Sequence, residues 1–230
     1  TLPLAWSHAQ GLRYGENPHQ QAALYGQFFS FFEQLHGKEL SYNNIVDVAA
    51  AQQLVEEFHP DEGVALAIIK HTNPCGVGLG TTTVEAWERA FATDTQSAFG
   101  GIVAVNVRCD LALAQAIDEI FTEVIIAPDY DDDALKLLRK KKNRRLMRLL
   151  QPVTQPGQMM IRSVPGGVLL QNADTNPLAE EPFNVVSQRA PTEDEQVALR
   201  FAWRVAKHVK SNAIVYTAVD RTLGIGAGQM

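Results

Sequence analysis

The sequence predicts an α/β protein built on a mostly parallel sheet. Three observations carry this. Short, unbroken apolar runs (VALAIIK at 64–70, GGIVAVN at 100–106, VIIAP at 124–128) have the length and make-up of strands buried on both faces. Segments with helical spacing separate them, so strand and helix alternate. The 230-residue chain is 46% hydrophobic and 20% charged, ordinary for a globular protein able to bury about 70% of its unfolded surface.

The elements follow in order. LRYGENPHQ at 12–20 is polar, with a Gly and a Pro, and reads as an ordered loop; 22–25 reads as a short strand. Residues 45–58 form a helix, because Ile45, Val48, Ala49, Leu54 and Val55 fall on one face and Asn43, Asn44 or Asp47 can cap it. VALAIIK is then a buried parallel strand and HTNPCGVGLG a loop. Helix 83–93, strand 100–106, helix 111–121 and strand 124–128 come next, and 134–150 reads as a helix followed by a strand. Eight basic residues lie between Lys136 and Arg148, preceded by four aspartates at 129–133. Acid before a helix and base at its end suit the macrodipole, which favours a solvated helix over an anion patch. GGVLLQ at 166–171 is strand-like and 172–191 reads as a linker. PTEDEQ at 191–196 opens a helix running to about residue 210, with Thr192 as N-cap and Glu195 closing a capping box. The last strand is 213–219, and Gly-rich sequence follows it. A chain opening on Thr1 and stopping in such a stretch reads as a piece of a longer protein, cut at both ends.

Composition also excludes. Lys plus Arg is 20 against Asp plus Glu 26, a formal charge of −6, the reverse of a nucleic-acid binder. Two cysteines, Cys75 and Cys109, in no CxxC arrangement suggest neither a disulfide framework nor a cysteine metal site. No apolar run approaches the ~18 residues of a membrane helix, and TLPLAWSHAQGL lacks the parts of a signal peptide. A cytoplasmic protein without a membrane partner is the expectation. Gly76-x-Gly78-x-Gly80 and Gly224-x-Gly226-x-Gly228 lack the G-x-G-x-x-G spacing between strand and helix, so neither is a dinucleotide loop.

Polar residues cluster at the strand ends in four places: 13–19, 70–76, 94–101 and 210–212. Ligands of open α/β sheets gather at the carboxyl ends of strands. Lys70 and His71 end VALAIIK: an imidazole accepts a proton near neutral pH, more readily as the neutral base beside a cation, and an ammonium stabilises developing negative charge. Residue type alone leaves a plain solvated loop open for this pair, and a capping or buried amide for Asn212.

RYGENPHQ (13–20), GKELSYNNIVD (37–47), KHTNPCGVG (70–78), SAFGGIVA (97–104), EVIIAP (123–128), KSNAIVY (210–216) and GIGAGQM (224–230) occur in order. Together they resemble the transformylase domain of the AICAR transformylase/IMP cyclohydrolase family, over nearly the whole chain. The resemblance implies a three-layer α/β/α, cytidine-deaminase-like fold without zinc, truncated before a second repeat. Residues 1–185 would be the first unit and 186–230 the start of the next. It implies formyl transfer from the co-substrate 10-formyltetrahydrofolate to the 5-amino group of AICAR, giving formyl-AICAR for IMP synthesis, with no metal required and the site shared in a homodimer. His71 resembles the general base, Lys70 the group that stabilises the transition state and helps protonate the leaving nitrogen, and Asn212 the residue that orients the carboxamide. Arg13 and Tyr14 match AICAR-holding positions, Gly100 a point of close backbone approach, and Glu123 an acidic AICAR contact that is Asp in some relatives. The cyclohydrolase domain would precede Thr1, and the Ser-Arg and folate-binding unit would follow Met230, so the isolated chain is expected to be inactive. A folate-independent formyltransferase and a non-catalytic AICAR-binding or dimerisation module are the alternatives.

Overall fold

The computed structural model describes residues 3–155, 157–175 and 182–228. Part of the expected 172–191 linker and the last two residues of GIGAGQM lie outside the described residues.

Strands β1 (His8–Leu12) and β2 (Ala22–Tyr25) make an antiparallel hairpin around the 13–20 loop. A single turn, α1 (Phe28–Phe31), leads into β3 (Phe32–His36). Helix α2 (Tyr42–Val55) is capped by Ser41, which accepts the Asn44 N–H at 3.2 Å while Asn44 Oδ1 accepts the Ser41 N–H at 3.1 Å. The cap therefore precedes the expected residues, with Asn44 its N3 partner, and Asp47 is left for another task.

Strand β4 (Val64–Lys70) turns through His71 and Thr72 into β5 (Asn73–Gly80), so all but the first two residues of HTNPCGVGLG are strand and not the expected loop. Its glycines explain the misreading. Helix α3 (Thr83–Phe91) lies flush on β5, and a Cβ on Gly76 or Gly78 would overlap the carbonyls of Ala90 and Ala86. Then come β6 (Ile102–Val105), α4 (Leu111–Asp118), β7 (Val124–Ala127), α5 (Asp132–Leu138) and β8 (Arg145–Leu149). An exposed hairpin of β9 (Met159–Val164) and β10 (Gly167–Asn172) follows. Helix α6 (Glu193–Ala206) carries the expected Thr192–Glu195 capping box, and β11 (Ile214–Thr217) pairs with β12 (Thr222–Gly226).

The central sheet has six strands in the order β3-β8-β7-β6-β4-β5. Strands β6, β7 and β8 are mutually parallel, while β4 runs against both β6 and β5, and β3 against β8. Thus β5 to β8 point one way in a mixed, mostly parallel sheet. The parallel setting expected for VALAIIK is corrected: an unbroken apolar run reports burial on both faces, and a two-residue turn forces the antiparallel direction. Alternate residues do face two cores. Ala65, Ala67 and Ile69 pack with Val48 and Leu54 of α2 and Phe201 of α6. Leu66 and Ile68 pack with Trp87 of α3, Leu113 of α4 and Leu138 of α5. This is the three-layer arrangement.

The basic run is not one solvated helix. α5 ends at Leu138, and the Arg144 side chain is 0% exposed and paired with Asp118, while Arg145 pairs with Glu123 and Arg148 with Glu33. Among the described residues no helix is long and apolar enough to cross a membrane.

Candidate active site

The β4–β5 connection consists of His71 and Thr72, both with positive φ (52° and 64°), the only non-glycine residues so placed among those described. Asn-Gly is the usual occupant of such a turn, and each strained residue costs on the order of 1–3 kcal/mol, more readily paid at a functional site. Hydrogen bonds hold the conformation. The Thr72 N–H donates to Asp47 Oδ1 at 2.7 Å, Thr72 Oγ1 donates to the His71 carbonyl at 2.6 Å, and Asn73 Nδ2 donates to the same carbonyl at 3.2 Å. Burial pushes the Asp47 carboxyl above its ordinary value, while the Thr72 and His71 amides and the His71 charge pull it back.

Lys70 reaches across to the next polar turn, its Nζ donating to the Phe99 carbonyl at 3.0 Å. Asp94 accepts the N–H groups of Gln96 and Ser97 and shapes that turn. Gly100 then takes φ +76°, which favours glycine, and its N–H donates to Phe121 O at 2.7 Å. The Glu123 N–H donates to Gly101 O at 3.0 Å, so Gly100 and Glu123 sit on one junction. Glu123 Oε1 accepts from Asn44 Nδ2 and from Arg145 Nη1, each at 3.1 Å.

The third expected catalytic residue approaches through the backbone. The Lys210 N–H donates to Asn73 Oδ1 at 3.1 Å, which seats the 210–212 loop carrying Asn212 against the β4–β5 turn. No hydrogen bond among the described residues joins Asn212 to Lys70 or His71. Arg13 and Tyr14 are not brought in either. The Arg13 guanidinium stacks 5.8 Å from the Tyr14 ring centre in the β1–β2 loop, and no hydrogen bond or ion pair among the described residues links them to the cluster.

The site lies at the carboxyl end of β4 but at the amino ends of β5, β6, β7 and β8. The carboxyl-end expectation holds for one strand only, because β4 is reversed. Cys75 lies within this region, yet burial first, and then the Asp94 charge, push its thiol up to about 11, so it is no thiolate nucleophile at neutral pH. Sequence reading missed the supporting groups: Asp47 and Asn44 passed as helix caps, Arg145 as one of a basic run, and Asn73 as loop. The one available signal was that Asn44, Asp47 and Asn73 fall inside the quoted strings; Arg145 lies outside them all.

The AICARFT/IMPCHase bienzyme family matches residues 1–230. The chain belongs to that family. Among AICARFT/IMPCHase relatives, the bifunctional purine biosynthesis protein PurH of Chloroflexus aurantiacus is 66% identical over 229 residues, covering 100% of this chain and 45% of the relative. PurH of Chlorobium chlorochromatii is 52% identical over 238 residues, covering 100% of this chain and 45% of the relative. PurH of Ruegeria sp. is 53% identical over 228 residues, covering 96% and 43%. The chain thus spans under half the length of these curated relatives.

Proposed function

We propose that this chain carries the Lys–His part of a centre that transfers a formyl group from 10-formyltetrahydrofolate to the 5-amino group of AICAR, in purine biosynthesis. The observation that carries the reading is the strained His71–Thr72 turn: it is anchored on α2, flanked by Lys70 on the Phe99 carbonyl, and touched by the loop bearing Asn212.

The AICAR amine is a weak nucleophile, because its lone pair conjugates with the ring and the carboxamide. As its nitrogen bonds to the formyl carbon, the His71 imidazole takes the amine proton. The Lys70 ammonium offsets the charge building on the formyl oxygen and supplies the proton that N10 of the folate needs as the carbon–N10 bond breaks. Asn212 orients the carboxamide, Gly100 and Glu123 contact AICAR, and Arg13 with Tyr14 meets its phosphate, a guanidinium being the side chain suited to that group. The reading includes a cytoplasmic homodimer and a first structural unit over 1–185, with 186–230 opening the next. It also holds that transfer needs more polypeptide than this chain, which alone turns over little or nothing.

A chimera with this chain in place of the matching segment of the Chloroflexus relative tests the reading. His71→Ala lowers kcat at least about 100-fold, while AICAR affinity by calorimetry stays within about fivefold. Near-normal turnover removes His71 from the chemistry.

A further inference from the structure

Resting on the formyl-transfer reading, we infer that Asp47 is a positioning residue: its carboxylate holds the His71–Thr72 turn left-handed and so aims the His71 imidazole. Two-residue turns with positive φ at both central positions take Asn-Gly because other residues resist that conformation, and a β-branched threonine resists it most. Of the bonds on this strained pair, Thr72 Oγ1 to His71 O and Asn73 Nδ2 to His71 O are made inside the hairpin tip and travel with it. The 2.7 Å bond from the Thr72 N–H to Asp47 Oδ1 reaches a different element. That element is rigid: Val48, Ala51, Leu54 and Val55 of α2 are 0% exposed in the core. Asp47 is one residue before Val48, so the turn is referenced to the packed helix.

The bond also has the energetics of a clamp. It joins a backbone amide to a half-buried, desolvated carboxylate, and a charge-assisted bond in such a setting is short and strong. Released from it, the turn relaxes towards ordinary φ values, and the imidazole moves with its Cα. A displacement of about 1 Å at a general base costs about 100-fold in rate.

The test uses the same chimera, with His71→Ala run alongside. Asp47→Ala lowers kcat by about 10- to 100-fold and leaves the KM for AICAR within about threefold. Asp47→Asn keeps an acceptor oxygen at the same place and retains kcat within about fivefold. Thr72→Gly, for which positive φ carries no steric cost, recovers at least about fivefold of the Asp47→Ala loss in the double variant. If Asp47→Ala fails to fold, Asp47→Ser, too short to reach the amide, takes its place. Unchanged kcat in folded Asp47→Ala, equal loss in the Asn and Ala variants, or no recovery by Thr72→Gly overturns the inference. If His71→Ala is damaging while Asp47→Ala is not, only the positioning role falls; if His71→Ala is harmless, the formyl-transfer reading falls.

Discussion

The guanidinium of Arg144, fully buried, donates to Asp118 Oδ1 at 2.7 Å at the end of α4. Lys141 joins the same carboxylate at 3.0 Å, and Arg144 Nη2 reaches the Ile120 carbonyl. The pair fixes the turn that delivers Arg145, the ion-pair partner of Glu123, to the start of β8.

Removing one partner leaves a buried charge without its counter-charge. Asp118→Ala therefore destabilises the fold by about 3–5 kcal/mol, whereas Arg144→Met, which removes the charge itself and nearly conserves volume, costs less. Urea midpoints of the two variants measure the difference.

The two glycine triplets separate equally sharply. Gly76→Ala drives a methyl group into the Ala90 carbonyl and forces α3 off β5, at a cost of about 2 kcal/mol or more. Gly224→Ala meets nothing within 4 Å and changes stability by less than about 0.5 kcal/mol. Thermal melts of both variants decide it.

The tie between the segments just past the C-terminal ends of α2 and α6 is sensitive to acid. Glu57 Oε1 lies 2.8 Å from both His208 Nε2 and Lys207 Nζ. Burial alone raises the Glu57 carboxyl, but these two contacts outweigh it and hold the group below its ordinary 4.5. A depressed folded-state value means stability that is present above pH 4.5 and lost as pH falls through the lower, folded value. Glu57→Gln removes that contribution, so its unfolding midpoint falls less steeply than that of the unaltered chain as pH is lowered from 6 to 3.

The strands and helices that declare themselves in sequence are those whose pattern follows from burial alone: VIIAP, the Thr192 capping box, the 83–93 helix. Direction was not legible. β4 reads as parallel because burial on both faces is all that its composition encodes, and β5 reads as loop because its glycines serve helix packing. Within the site, Lys70 and His71 stand out as reactive types, but Asp47 does not, because a carboxylate early in a helix looks like a cap until the turn it anchors is in view. Arg13 and Tyr14 lie in one of the four polar clusters, but only the resemblance gives them AICAR, and nothing in their spacing relates them to residues some 60 positions on.

The reversal of β4 brings its carboxyl end to the rim where β5 to β8 begin, and the two rims of the sheet then have different freedoms. One carries His71 and the starts of β5 to β8, where a single inserted residue would shift pleat and register together. Opposite, the connections leaving β7 and β8 serve no part of the proposed chemistry. Length variation among natural homologues, and engineered tags or affinity handles, belong on that second rim.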